Sequence, residues 1–369
     1  MKKISGALLI VLVIAAAWLW TRYQSNTTTM IPLPYELQLS DTLSTKAPIV
    51  MVGDQMAEHL SLFNVSLSSE ISTNLTEPIK IFSLGKKHHG VHRTLKQLDQ
   101  LESPPALLIY HGGSEEYFEK IYDPSQKQII LNNLNLYRDP TLLSLIYLYP
   151  WMSRLLYQPV KKIQLPTLPL EIPAMEVHLD DNSLVFELYE EHLRLMVKKA
   201  AKMKSLLLFI TSPLDLNVPP KKNCAVADSV EVQVALKDIR ETLKAGDLKS
   251  AFSLAEKLSE AAIAHAEVFY LYGQTAKRLG QKNIALNALN KAAVFDCSFW
   301  RGHEVFNQII RKVATETKTS LFDLAMMVED EQWNQSDSIY FDEIFPQNMI
   351  YEKATLLLAQ QVKKLLQIP

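Results

Sequence analysis

Ile49-Val50-Met51-Val52-Gly53-Asp54-Gln55-Met56-Ala57 decides the fold of this chain. Four apolar residues in a row, with no polar alternation, predict a short strand buried on both faces, as in a parallel sheet covered by helices. Gly53 ends the run, and Met56–Phe63 has the spacing of a helix following it. The same strand-then-helix grammar recurs downstream. Ile79-Lys80-Ile81-Phe82 predicts a second strand ending at Gly85, and Thr94–Leu101 a helix. Leu107-Leu108-Ile109-Tyr110 predicts a third strand, stopped by Gly112-Gly113. Leu184–Met203 has apolar residues three and four apart, the mark of a long amphipathic helix. Ser205–Thr211 and Thr319–Asp323 predict the fourth and fifth strands, and Met349–Leu366 a closing helix. Alternation of this kind implies a three-layer α/β/α domain around a parallel sheet.

The chain has 369 residues, enough for one large domain with an insertion or for two domains. A composition of 48% hydrophobic and 21% charged residues is that of a globular protein rather than a disordered one. The net charge of −2, without any basic block, gives no footprint for nucleic acid. The N-terminus is different. Met1-Lys2-Lys3 precedes an uncharged run, Ile4 to Trp20, that is about the length needed to span a bilayer as a helix. A cleaved signal peptide competes, because Ala15-Ala16-Ala17 offers small residues for cleavage. Trp18-Leu19-Trp20 favours an anchor, since tryptophan suits the membrane–water boundary. Lys2 and Lys3 then keep the short N-terminus inside and put the body outside the cytoplasmic membrane, in the periplasm. Residues 21–46, polar and rich in Ser and Thr, read as a tether.

Two segments depart from the alternation. Thr141–Tyr157 is crowded with Leu, Ile, Tyr and Trp and leads into Pro159, Pro166, Pro169 and Pro173. A helix followed by an extended connection is one reading; a lid or membrane-facing hairpin is the other. From about Ser229 to Asp296 a repeat of period 34 pairs Gly246 with Gly280 and Ala251 with Ala285. Gly273 and Ala292 are further small residues where helices approach closely. This spacing resembles tetratricopeptide repeats, whose concave face binds peptides. Two copies fall short of independent stability, so they are expected to dock on the α/β body. Cys224 and Cys297 bracket this region, either as a disulfide or as two free thiols.

Taken together, Gly53-Asp54-Gln55, Leu84-Gly85-Lys86, Gly113-Ser114-Glu115-Glu116-Tyr117 and Asp342-Glu343-Ile344-Phe345-Pro346 resemble the blocks of the SGNH/GDSL hydrolase family. Residues 206–220 and Phe306-Asn307-Gln308-Ile309-Ile310-Arg311 resemble the family's fourth strand with its loop and the helix before its last strand. The likeness is to a membrane-anchored bacterial form with a tetratricopeptide insertion. It implies a flavodoxin-like fold split into 47–228 and 297–369, with 229–296 inserted, 21–46 as linker and 1–20 as anchor. It also implies which groups would do chemistry. A serine attacks the ester carbonyl, a histidine takes and returns its proton, and an aspartate orients the histidine. A glycine N–H and an asparagine stabilise the oxyanion, on the order of 3 kcal/mol per donor.

Here Gln55 stands at the serine position, Phe345 at the histidine and Glu115 at the asparagine, where a carboxylate would repel an oxyanion. Gly85 and Asp342 keep the family's residue types. Losing one triad member already costs orders of magnitude in rate. The expected protein is therefore a membrane-tethered pseudo-hydrolase of the cell envelope, a binding or scaffold protein for an envelope glycan or a protein partner. The alternative is an envelope polysaccharide esterase, deacetylase or acyltransferase with a rearranged site, using Asp54 or Glu115 as general base. Ser114 is the best substitute nucleophile, though no base is evident near it in sequence. Asp54, Gln55, Gly85, His88, Gly113, Glu115, Asp342 and Phe345 are the pocket candidates. No cofactor is expected. His88, His89, His92 and His111 could assemble a metal or anion site with Glu115, Asp54 and Asp342; solvated loop histidines are the expectation instead. His59, His178, His192, His265 and His303 are expected on surfaces or helix faces. The Asn-x-Ser/Thr triplets at Asn26, Asn64, Asn74 and Asn334 matter only in a eukaryotic secretory pathway.

Overall fold

The computed structural model describes residues 13–16, 20, 35–36, 45–117, 122–161, 163–164, 179–223, 229–296, 303–334 and 338–368. The chain forms two compact units, Met1–Gln38 with Lys120–Pro166, and Leu39–Glu119 with Thr167–Pro369.

The larger unit is built on five parallel strands: β1 (Ile49–Gly53), β2 (Ile81–Ser83), β3 (Leu107–His111), β4 (Leu206–Ile210) and β5 (Ser320–Phe322), in the order β2-β1-β3-β4-β5. That is the flavodoxin-like order, in which the crevice lies outside the carboxyl ends of the strands where the order reverses, between β1 and β3. Register is continuous across the centre, Ile49 facing Leu107 and Gly53 facing His111. The quoted stretch behaves as its composition requires. Ile49, Val50, Met51 and Val52 are all fully buried, because both faces of the sheet are covered.

The period-two geometry of a strand sorts these residues into two cores. Ile49, Met51, Leu107, Ile109, Leu208 and Ile210 point to one face. There they meet the helices α1 (Gln55–Leu60), α2 (Asn64–Ile71), α13 (Leu324–Asn334) and α14 (Asn348–Leu366). Val50, Val52, Leu108, Tyr110, Leu207 and Phe209 point to the other face. Their partners are α3 (Val91–Asp99), α7 (Leu179–Met203) and α12 (Glu304–Thr317). Each Leu or Ile so buried contributes about 1.5–3 kcal/mol against leaving it in water.

Between β4 and α12 the chain makes two helical hairpins, α8 (Val230–Lys244) with α9 (Leu248–Ala261) and α10 (Ala266–Arg278) with α11 (Lys282–Val294). The turns repeat: Gly246 and Gly280 both have positive φ, +82° and +75°. Ala251 and Ala285 are both fully buried. A Cβ on Gly273 would come within 2.6 Å of the Leu289 side chain, so only glycine lets α10 and α11 approach this closely. The second hairpin docks on the sheet unit, with Leu289 and Ala293 packing on Leu214 and Leu216 from the loop after β4. Tyr270 donates to the Asn217 carbonyl at 2.6 Å.

In the smaller unit, Thr141–Tyr157 forms helices rather than one: α5 (Pro140–Leu148), a single 3₁₀ turn and α6 (Ser153–Leu156), preceded by α4 (Lys127–Arg138). Asp139 caps α5 by accepting from the N–H groups of Thr141 and Leu142. Tyr35–Glu36 pairs in parallel with Ile163–Gln164. The described residues contain no helix long and apolar enough to cross a membrane. Most of Ile4–Trp20 lies outside them, as do Cys224, Cys297, His178 and Asn26.

Candidate functional site

Gly53 creates the site. Its φ of +141° is open to glycine, and a Cβ there would sit 1.9 Å from the His111 carbonyl oxygen. Glycine thus lets the end of β1 lie against the end of β3, where the Asp54 N–H donates to that same carbonyl. Asp54 then caps α1, its Oδ1 accepting from the Met56 N–H at 2.8 Å. The other carboxylate oxygen accepts from the Ser114 N–H at 2.7 Å and from the Ser114 hydroxyl at 2.8 Å. One buried carboxylate therefore ties the β1 turn to the β3 turn. Burial pushes the Asp54 carboxyl up to about 6, against the pull of these donors.

Gln55 is the first residue of α1 and is nearly buried, at 8% exposure. Its amide nitrogen donates to the Ser114 hydroxyl oxygen at 3.5 Å, so Ser114 bridges Asp54 and Gln55. No base is near Ser114 in sequence, but the fold brings Asp54 to it from 60 residues away.

Glu115 is buried, at 1% exposure, and its Oε2 accepts from the His88 N–H at 3.0 Å and faces His88 Nδ1 at 3.0 Å. Burial and the nearby Asp54 charge push its carboxyl up to about 8. At neutral pH it is largely protonated, so repulsion of an oxyanion is not what it contributes. It is committed to holding the 86–89 loop, in which His88 takes the left-handed conformation, φ +64°. Glu116 likewise serves structure, accepting from the Val91 N–H at the start of α3, where a negative charge suits the helix dipole.

Gly85, expected as an oxyanion donor, donates its N–H to the Ser83 hydroxyl at 3.3 Å. The glycine has a steric reason, because a Cβ there would come within 2.6 Å of the Ala57 side chain and the Glu58 backbone. Gly113 has φ +98°, and a Cβ would meet the Tyr189 hydroxyl at 2.8 Å. Asp342, expected to orient a base, is an exposed residue that closes its own turn, accepting from the Ile344 and Phe345 N–H groups. Phe345 stacks on His59, ring centroids 4.5 Å apart and planes 19° apart. Tyr351 stands 4.8 Å from the same imidazole. Burial among these rings lowers the His59 pKa, with the Asp342 charge opposing. His59, expected on a surface or helix face, lies one turn after Gln55 on α1; its i+4 spacing from Gln55 was the signal that it borders the site.

The loop histidines His89, His92 and His111 are not solvated as expected, and His192 lies on a helix face, as one of the two readings had it. His89, His92, His111 and His192 are buried. Burial drives both His111 and His192 down to about 4, so each is neutral near pH 7. His265 and His303 are buried helix caps, on α10 and α12. Among the described residues, no cluster of three His, Cys, Asp or Glu side chains is placed to hold a metal ion.

Beside the site, Arg311 of α12 grips Asp323 through two nitrogens at 2.7 and 3.0 Å and Glu304 at 2.6 Å. Asn307 closes on the Ser212 backbone through both its oxygen and its nitrogen, 2.8 Å each. Asn307 thus fixes the loop after β4 against α12, and Arg311 fixes the end of β5 against it.

Gly53-Asp54-Gln55 follows β1, Gly85 follows β2, and Gly113 to Tyr117 follows β3. The fold is a three-layer α/β/α one around a parallel sheet. No family profile matches the chain, nor does any curated relative. Among solved structures it is similar to a catalytic mutant of Axe2, an acetylxylan esterase from Geobacillus stearothermophilus, at 9% identity and a TM-score of 0.36, over 88% of this chain and 95% of that one. It is also similar to a GDSL-like lipase from Bacteroides thetaiotaomicron, at 8% identity and a TM-score of 0.36, over 88% of this chain and 92% of that one. Likenesses of this size say nothing of chemistry, which rests on the site's own residues.

Proposed function

We propose that this chain is a membrane-tethered, extracytoplasmic pseudo-hydrolase that binds rather than cleaves. One observation carries the reading. At the head of α1, where an SGNH hydrolase presents its serine, stands Gln55, with its amide turned to Ser114. A carboxamide forms no acyl-enzyme. The place of the base is filled by Phe345 stacked on His59, an apolar contact where an imidazole would need freedom to exchange protons. The cell-envelope setting rests on the N-terminal apolar run. An envelope glycan at the strand ends, or a peptide on the tetratricopeptide-like hairpins, is the ligand class these features suit.

Aryl acetate turnover and labelling by a fluorophosphonate serine probe test the reading on the full chain. Turnover at the buffer rate and an unlabelled chain are expected. A covalent adduct at any cleft residue, or turnover lost in Gln55→Ala, refutes it.

A second reading has its own observation: the Ser114 hydroxyl lies 2.8 Å from Asp54, whose carboxyl is held at about 6. A serine–carboxylate pair of this kind would make the chain an esterase with a displaced nucleophile. Against it, Ser114 is only 3% exposed. Ester turnover abolished by Ser114→Ala would establish this second reading in place of the first.

A further inference from the structure

Pro140 to Tyr157 carries one charged residue in its whole length, Arg154. A helix on a water-facing surface buries an apolar stripe and turns polar residues outward. α5 does not. Ile146 is its buried side chain, yet Leu143, Tyr147 and Leu148 stand exposed, the last two at 85% and 63%. Tyr149 and Leu155, at 40% and 73%, extend the same apolar surface through the 3₁₀ turn and α6. Within the same unit, Trp20 ends the uncharged run that starts at Ile4. Its ring meets Trp151 edge-on, with centroids 5.7 Å apart. The apolar N-terminal run thus arrives at this apolar segment.

We infer that α5–α6 lies in the boundary between lipid headgroups and acyl chains, as a second membrane attachment beside the N-terminal run. The inference rests on the anchor reading for its location. At nine residues, α5 is only about 13 Å long and cannot span a core of roughly 30 Å, so it lies in the plane of the surface. Tyr147, Tyr149, Trp151 and Trp20 are residues that favour the headgroup level, with an apolar body and a polar tip. Arg138 and Lys161 flank the apolar stretch, Arg154 lies within it, and these cations suit anionic phospholipid. Interfacial helices of this kind sink about 5–10 Å into the boundary. A protein partner would meet the same apolar surface, but the aromatic belt and the basic flanks together favour lipid.

The test uses the full chain in vesicles of phosphatidylethanolamine and phosphatidylglycerol that contain a phospholipid with a diazirine in its acyl chain. After photolysis, adducts are mapped by peptide mass spectrometry. Adducts are expected at residues 140–157 as well as 4–20. The pair Tyr147→Glu with Leu155→Glu should lower labelling of 140–157 several-fold and leave that of 4–20 unchanged. Adducts confined to 4–20 overturn the inference while the anchor stands. A chain that fails to float with vesicles and takes no adduct overturns both. A segment free of adducts yet protected from hydroxyl-radical footprinting in vesicles is covered by protein, which also overturns it.

Discussion

Glu115 is the residue whose environment most changes its meaning. In sequence it is a carboxylate at an oxyanion donor's position. In the structure it is buried, pushed up to about 8, and joined to the backbone and ring of His88. A folded pKa above the unfolded value near 4.5 means the native state holds its proton longer than the unfolded chain does. The acid therefore costs nothing below about pH 4.5 and costs progressively more as pH rises toward 8. Glu115→Gln keeps an oxygen for the His88 N–H and removes the titration. Its urea midpoint should match the parent at pH 5 and exceed it at pH 8.5, by up to a few kcal/mol in unfolding free energy. Equal midpoints at both values would show that Glu115 is ionised throughout. Asp54 and Gln55 were legible as the turn between the first strand and its helix. The Asp54–Ser114 bond was not, because 60 residues separate partners that only adjacent strands bring together.

Elements follow from local pattern, and here the two helical hairpins are the sharpest case. Period 34 in sequence became the same turn twice, with glycine at positive φ after α8 and after α10. The glycines nevertheless do different work. Gly246 and Gly280 have nothing within 4 Å of a built Cβ, so alanine there meets only the backbone penalty, about 1–2 kcal/mol. Gly273 sits in a helix, and a Cβ there runs into Leu289. Overpacking of that sort costs about 1–3 kcal/mol in addition to any shift of α11, offset by alanine's better helix propensity. Thermal melts should show Gly273→Ala destabilising although helix propensity alone would make it stabilising, and Gly246→Ala and Gly280→Ala destabilising alike, by about 1–2 kcal/mol. A stabilised Gly273→Ala would mean α10 and α11 are not as close as described. Strand boundaries were read within two residues, since apolar runs buried on both faces have abrupt ends at Gly53, Gly85 and Gly112.

At the scale of the whole molecule, cooperativity links parts that sequence separates. The second hairpin completes its core with Leu214 and Leu216 from the sheet unit, and Tyr270 and Lys277 both bond Asn217. Residues 229–296 alone would lose all of these. Circular dichroism of that fragment should show weak helicity and no cooperative melt, whereas the full chain melts with its hairpins intact. A fragment that melts cooperatively would make the hairpins an independent domain.

The five strands, the helices between them and the inserted hairpins were written locally, in runs, spacings and glycines that each segment carries by itself. So were Gln55 and Phe345 as residue types, because each is read from its own segment. What the sequence could not carry was burial and partnership. His89, His92 and His111, which read as solvated loop residues, are buried, and Asp342 accepts the N–H groups of its own turn. Desolvation and hydrogen bonding depend on which distant segments close around a side chain. Only the assembled sheet and its two helical layers determine that.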